Sequence, residues 1–442
     1  MKKYLSHLLL HYFRFLARLQ LQKNPQAIII GVTGSAGKTS TRLALVHILC
    51  TRGQVKHSKH ANSESGIPLN ILGLTPTSYS LLDWLRLIIL SPVKLLTNQE
   101  KFDYYVVEMG VDSPDAPKNM TYLLSIVRPH VAVVLNAGLV HTAAFDHLVK
   151  DTSPGRRASK LIKVIAKEKM QLARSVEAGG VTIINIDQKE LVQEKKNVTA
   201  RQITIGQSGK ADLQILRSHL DSRGSTFRFR YQGHVYTLSL PDVYPEPFAY
   251  NFAAAIAASA GLGIPPSHSI PALAKYRAPA GRLQIFPGQN DSTIIDSSYN
   301  ASPLTMLESL KLLKKLAGTK KKIAVIGDMR ELGVSTKQVH KELADWLMEF
   351  SNEAILFGPL TGKYTLPVLL SHKFPVHHFT HMSDLTKYLR SRLSLHSHIL
   401  IKGSQNTILL ERAVAAILKN PSDLTHLCRR GPHWDKIRRA TL

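Results

Sequence analysis

The sequence predicts an α/β chain built on doubly wound, mostly parallel sheets, and three observations predict it. Short apolar runs alternate with helical stretches from Ala27 to about Ala280. Several runs end on a polar residue able to bind a ligand: 104–107 on Glu108, 130–135 on Asn136 and 181–184 on Asn185. The first run, Ala27-Ile28-Ile29-Ile30, leads through a glycine-rich turn into a helical stretch at 43–48. Strands alternating with helices require parallel crossovers. In such sheets ligand groups collect at the carboxyl ends of the strands.

The glycine-rich turn is the strongest signal. Gly31-Val32-Thr33-Gly34-Ser35-Ala36-Gly37-Lys38-Thr39-Ser40 joins a strand to a helix start, which wraps backbone N–H groups around phosphates. Gly34 and Gly37 shape the turn and Ser40 lies just inside the helix. Lys38 is placed to reach the outer phosphates and the Thr39 hydroxyl to sit on Mg²⁺. Val32 stands where the strict pattern has its first glycine. The central domain, 27–280, is therefore a P-loop-containing doubly wound unit. Alternating residues at 211–240 predict a hairpin at its margin, and 251–262 an Ala-rich helix.

A second domain is expected from 281 to 442. Its apolar runs at 294–295 and 323–327 end on Asp296 and Asp328, and those at 354–357 and 398–402 end at Gly358 and Gly403. This is a Rossmann-like pattern, closed by a basic tail that Trp434 could dock. Residues 1–26 form a third segment. Leu5, Leu8, Leu9, Tyr12, Phe13, Leu16 and Leu19 recur at helical spacing among basic residues, which suits either peripheral membrane contact through residues 1–23 or packing on the chain's own core. Residues 81–96 form a second apolar and basic patch.

Composition narrows the classes. At 44% hydrophobic and 20% charged the chain is globular rather than disordered. Cys50 and Cys428 give neither a disulfide framework nor a CxxC metal site. The formal net charge of +26 favours polyanionic neighbours. No nucleic acid is expected, since no RNP-like motif, zinc finger or basic heptad helix is present. No apolar run is long enough to span a bilayer.

Further motifs are spaced along the chain. They are Asn62-Ser63-Glu64-Ser65-Gly66-Ile67-Pro68-Leu69, Glu108-Met109-Gly110 and Asn136-Ala137-Gly138-Leu139-Val140-His141. Downstream come Asp296-Ser297-Ser298-Tyr299-Asn300-Ala301-Ser302-Pro303, then Gly327-Asp328-Met329-Arg330-Glu331-Leu332-Gly333, then Lys402-Gly403-Ser404. With the phosphate loop they resemble the Mur ligase family over roughly 27–440, and its MurF branch in the last three.

The resemblance implies an ATP-dependent amide-bond-forming ligase of peptidoglycan precursor synthesis. It would add D-alanyl-D-alanine to a UDP-muramoyl-tripeptide through an acyl phosphate. It implies two Mg²⁺ sites, with Thr39, Glu108, His141 and Lys169 as ligands, and Lys169 carbamylated by CO₂; Lys167 competes for that role. Lys38, Lys169 and His141 would be the catalytic set. Asn251, Arg282, Asp296 and Asn300 would contact ATP, Arg282 bridging phosphates across the cleft. Asp296 and Asn300 equally suit a strand-end turn. The Gly327–Gly333 loop would face the incoming amine.

Three departures from the family pattern stand out. Pro245-Glu246-Pro247-Phe248 replaces the usual Gly-x-His-Asn, Gln405 replaces the usual Arg, and only about 26 residues precede the phosphate loop, too few for the family's UDP-sugar-binding domain. A monomer in the cytoplasm is expected, at the inner face of the membrane if the N-terminal helix engages lipid. The alternatives are a Mur-like ligase with another amine or carboxylate, or a non-catalytic nucleotide-binding protein at a membrane surface.

Overall fold

Runs rich in isoleucine and valine are short, β-branched and bounded by turns, so they become strands buried within a sheet. The computed structural model describes residues 2–59, 61–221, 224–393, 395–404 and 408–440, and Gln405 lies outside them. In chain order the first part runs α1 (Lys2–Gln22), β1 (Ile28–Thr33), α2 (Lys38–Leu49), β2 (Val55–His57), α3 (Gly66–Leu72), α4 (Leu81–Thr97), β3 (Tyr104–Glu108), α5 (Met120–Ile126), β4 (Val131–Val134) and α6 (Pro154–Lys169). The strands continue as β5 (Val181–Asn185), β6 (Arg201–Gly206), β7 (Leu213–Asp221), β8 (Gly224–Tyr231) and β9 (His234–Leu240). They make one nine-stranded sheet in the order β2-β3-β1-β4-β5-β6-β7-β8-β9. The pairs from β2 to β7 are parallel. The last three strands form an antiparallel meander, where a hairpin was expected.

The apolar residues of α2 and the helix Phe248–Gly261 fill one face of this sheet. Alanines at 253–255, 257 and 258 let that second helix approach α2 closely. The other face is covered by α5, α6 and part of α1. The helical spacing read in the first 23 residues is thus largely used up internally. Phe13, Leu16 and Leu10 are buried, Tyr12 donates to Ile88 O at 2.9 Å, and Phe13 lies 6.1 Å from Trp84. No helix among the described residues is long and apolar enough to cross a membrane.

The second sheet is built from β10 (Gln284–Pro287), β11 (Thr293–Ser297), β12 (Lys322–Gly327), β13 (Glu353–Phe357), β14 (Val376–Phe379) and β15 (His398–Lys402). Its order is β10-β11-β15-β12-β13-β14, parallel except for the edge strand β10. Apolar clusters cover both faces. Ser297, Asp328 and Lys402 lie at or just beyond the carboxyl ends of β11, β12 and β15, and direct bonds join the two halves. Thr142 Oγ1 donates to Leu332 O at 2.9 Å, and the Val334 N–H donates to Asp146 Oδ2 at 2.8 Å. The tail is a helix, Pro432–Ala440, and the Arg429 guanidinium lies 5.8 Å from the Trp434 ring.

Candidate active site

The phosphate loop is formed and braced. Gly37 has φ +84°, and a Cβ there would lie 2.3 Å from Asn251 Oδ1, so both backbone and space exclude a side chain. Asn251 itself is buried beneath the loop, its Oδ1 3.4 Å from Thr41 Oγ1. Asn136 clamps the loop from the neighbouring strand end: Ala36 N–H donates to its Oδ1 at 2.8 Å and its Nδ2 donates to Ala36 O at 3.1 Å. The N–H groups of residues 38–40 open α2 and have no partner one turn earlier in the helix. Lys38 Nζ rests on Gly34 O at 2.6 Å. Burial lowers the Lys38 amine's pKa, and Arg282 adds to this against the pull of Glu108 and Asp112.

Glu108 ends β3 beside the loop. Thr39 Oγ1 donates to its Oε2 at 3.0 Å and Arg42 Nε to its Oε1 at 2.7 Å. Its own N–H donates to Ser58 Oγ at 2.8 Å. Arg42 also meets His57, whose pKa burial and this guanidinium push down to about 4. The adjoining turn is held by Asn62, whose carbonyl accepts the Gly110 N–H at 2.8 Å.

His141 sits at φ +55° with Nε2 3.4 Å from Asp112 Oδ1 and Nδ1 2.5 Å from Glu331 Oε2. That bond to His141 lowers the Glu331 pKa. His141 therefore faces the second half of the chain, not Glu108. Among the described residues no three His, Cys, Asp or Glu side chains converge at metal-ligand spacing. Of the expected ligands, Thr39 pairs with Glu108, whereas His141 lies between Asp112 and Glu331, neither of them expected as a ligand. The Gly327–Gly333 loop is tied to 141–146 through Glu331 and Leu332.

The two candidate lysines of α6 differ in burial. Lys167 is exposed, whereas Lys169 is 3% exposed. Burial, with Lys38 nearby, pushes the Lys169 amine down to about 7, against the opposing pull of Asp112 and Glu168.

From the second sheet, Arg282 stacks 4.5 Å from the Tyr299 ring. Asn300 and Ala301 line a narrow cleft with Val140, His141, Arg330, Glu331 and Ser404. Lys402 Nζ donates to Ser297 Oγ at 3.0 Å and to Asn300 O at 2.9 Å, and burial with Arg282 pushes it down to about 7. The Asp296 side chain, expected at the nucleotide or in a strand-end turn, is fully buried. The Ser298 N–H donates to its Oδ1 at 2.9 Å, while Oδ2 has no partner among the described residues. Burial pushes it up to about 6. The tail seals it: Cys428 Sγ lies 3.5 Å from Ser298 Oγ, and Arg429 donates to Ser298 O at 3.2 Å and to Glu411 Oε2 at 2.8 Å.

The sequence-predicted Lys38, Thr39, Glu108, His141 and Lys169 thus gather at one end of the first sheet, with Arg282 and Asn300 arriving from the second. Sequence reasoning missed Arg42, Asp112 and Glu331 as their partners. Arg42 and Asp112 sit within a few residues of motifs, but nothing local marks which carboxylate or imidazole each will meet.

Residues 32–259 match the Mur ligase middle domain, and residues 281–405 match the family described as Mur ligase, glutamate ligase domain. The chain is similar to the UDP-N-acetylmuramoyl-tripeptide–D-alanyl-D-alanine ligase of Bacillus subtilis, 27% identical over 89% of this chain and 76% of the relative. It is 24% identical to the Escherichia coli ligase of the same name, over 89% of this chain and 77% of that one. Among solved structures, MurF from Thermotoga maritima in complex with ADP shares its fold, with TM-score 0.73 at 23% identity over 92% of this chain and 83% of the other. A MurF from Acinetobacter baumannii gives TM-score 0.74 at 21% identity, covering 91% and 79%.

Proposed function

Because this chain belongs to the Mur ligase family, we propose that it is an ATP-dependent ligase joining D-alanyl-D-alanine to the carboxylate of a UDP-muramoyl-tripeptide in peptidoglycan precursor synthesis. The observation that carries this reading is the gathering of Lys38, the Thr39–Glu108 pair, the Asp112–His141 pair and buried Lys169 around the phosphate loop, with Arg282 opposite. In the reaction a substrate carboxylate oxygen attacks the terminal phosphorus of ATP, and the bond to ADP breaks. The dipeptide amine then attacks the acyl carbon, forming the C–N bond and losing a proton, while inorganic phosphate leaves. Lys38 and the N–H groups of residues 38–40 hold the charge of the transferring phosphoryl group, and Arg282 adds a cation from across the cleft.

The donor set fits magnesium. Thr39 Oγ1 and Glu108 Oε2 are adjacent hard oxygens, and Mg²⁺ takes one or two carboxylates with phosphate and water as its other ligands. Bound there it would neutralise phosphate charge. A second Mg²⁺ would be held by His141 and by Lys169 as its carbamate. The desolvated amine supports that modification, because only a neutral amine takes up CO₂. We assign residues 27–280 to nucleotide binding and 281–442 to closure over the acceptor, following the segment 1–26, and read the ligase as a monomer.

The test is ADP formation with UDP-muramoyl-tripeptide and D-alanyl-D-alanine. ADP should accumulate only when both are present, and Lys38→Ala should stop it. Absence of acceptor-stimulated ADP release overturns the proposal.

A further inference from the structure

The outer face of α4 carries an apolar stripe that nothing among the described residues covers. Leu82, Leu85, Ile89, Val93 and Leu96 recur at three- and four-residue spacing and are 48–77% exposed. From Leu82 to Leu96 the stripe runs about 21 Å along the helix at the α-helical rise. The opposite face is anchored, with Trp84, Leu87, Ile88 and Leu95 packed on α1 and α3. The stripe therefore belongs to a fixed helix, not a loose one. Beside it α1 exposes Leu8 and Phe15, at 69% and 61%, with exposed Arg18 on the same helical face. Single exposed leucines are ordinary, but a continuous stripe of this size marks a binding surface.

Charge decides what the surface meets. α1 contains no acidic residue and exposes Arg18, while Arg14 turns onto Ser125 Oγ at 2.8 Å and the Tyr122 ring. α4 has Arg86 and Lys94 and a single acid, Asp83, which is buried and consumed by the N–H groups of Thr77, Ser78 and Tyr79 and by Arg86. A second copy would bring another +26 of net charge against this face, so self-association through it is opposed by repulsion. An anionic bilayer surface attracts the same basic residues, and a fixed apolar stripe can enter the headgroup boundary without spanning.

We propose that α4, flanked by α1, docks this protein onto an anionic lipid surface, with the Leu82–Leu96 stripe seated in the interface and exposed Arg18 and Lys94 on the headgroups. The inference stands apart from the ligase reading, because none of these residues belongs to the candidate active site.

Flotation of the full chain with phosphatidylcholine vesicles, with and without about 30% phosphatidylglycerol, tests it. Wild type should float with the anionic vesicles only, and about fivefold less at roughly 0.5 M salt than at 0.1 M. Leu85→Glu with Ile89→Glu should fall to background while keeping the wild-type melting temperature and ADP release. Arg18→Glu with Lys94→Glu should lose about tenfold in vesicle affinity. The proposal is overturned if wild type stays with the lipid-free fraction, or floats equally with neutral vesicles. Undiminished flotation of the Leu85→Glu, Ile89→Glu variant overturns it too. So does a wild-type dimer, seen by light scattering, that this variant abolishes without any flotation.

Discussion

Lys169 offers the most discriminating perturbation. A solvated lysine near pH 7.5 is neutral in about one molecule per thousand, whereas an amine titrating at about 7 is neutral in roughly three quarters. Burial therefore raises the concentration of the CO₂-reactive form by about 10³-fold. ADP release should accordingly rise with pH through about 7 and fall away below it, because protonation removes the nucleophile. Lys169→Met should cost roughly 10²–10³-fold in turnover, the size of one lost charge-stabilising group. Stability should move the same way. Between about 7 and 10.5 the unfolded chain binds a proton at this position that the folded chain refuses, so stability contributed here falls as pH drops through that window and stays at its lowest below about 7. Lys169→Met removes that penalty, and near pH 6 it should melt no lower than wild type while remaining inactive. Acetate should partly rescue Lys169→Ala by supplying an anionic oxygen, and methylamine should not. Full activity in Lys169→Met, an equal loss in exposed Lys167→Met, or rescue by methylamine alone would refute the reasoning.

Three other changes test the surrounding frame. Lys38→Ala should lower ADP release by at least about 10²-fold with an unchanged melting temperature, and the idea fails if turnover survives. Gly37→Ala places a Cβ 2.3 Å from Asn251 Oδ1 at φ +84°. It should destabilise by about 1–3 kcal/mol and weaken nucleotide binding, both readable by thermal shift with and without ATP. Arg429→Ala removes the 2.8 Å partner of buried Glu411, leaving Arg438 at 3.9 Å, and should destabilise by about 3 kcal/mol. The loss should grow as pH rises, since burial already holds Glu411 above the ordinary carboxylate range and ionising it unpaired costs more. Identical losses near pH 5 and pH 8 in denaturant titrations would count against the pairing.

Much of the architecture was legible because its causes are local. The strands β1, β3, β4, β5, β11, β12, β13 and β15 lie where short apolar runs end on turn or acidic residues. The short strand β2 and the edge strands β10 and β14 were not legible, because edge strands make one-sided contacts and carry weak patterns. The meander of β7–β9 read as a single hairpin, since its first strand has only intermittent burial. The residues of the site were likewise named from motifs, yet their partners were not. Arg42 reaches Glu108 across 66 positions, and His141 reaches Glu331 across the two sheets.

By itself the sequence determined the phosphate loop, because strand, glycine turn and helix start are contiguous and their backbone geometry follows from the residues in place. It also determined the alternation that makes the sheets parallel. Only the tertiary structure decided which lysine of α6 is desolvated, that Asp296 is sealed beneath Cys428 and Arg429, and that α1 hides its apolar face while α4 keeps one open. Those outcomes depend on which surfaces the crossovers press together, and burial sets both the proton affinity of a side chain and what it can touch.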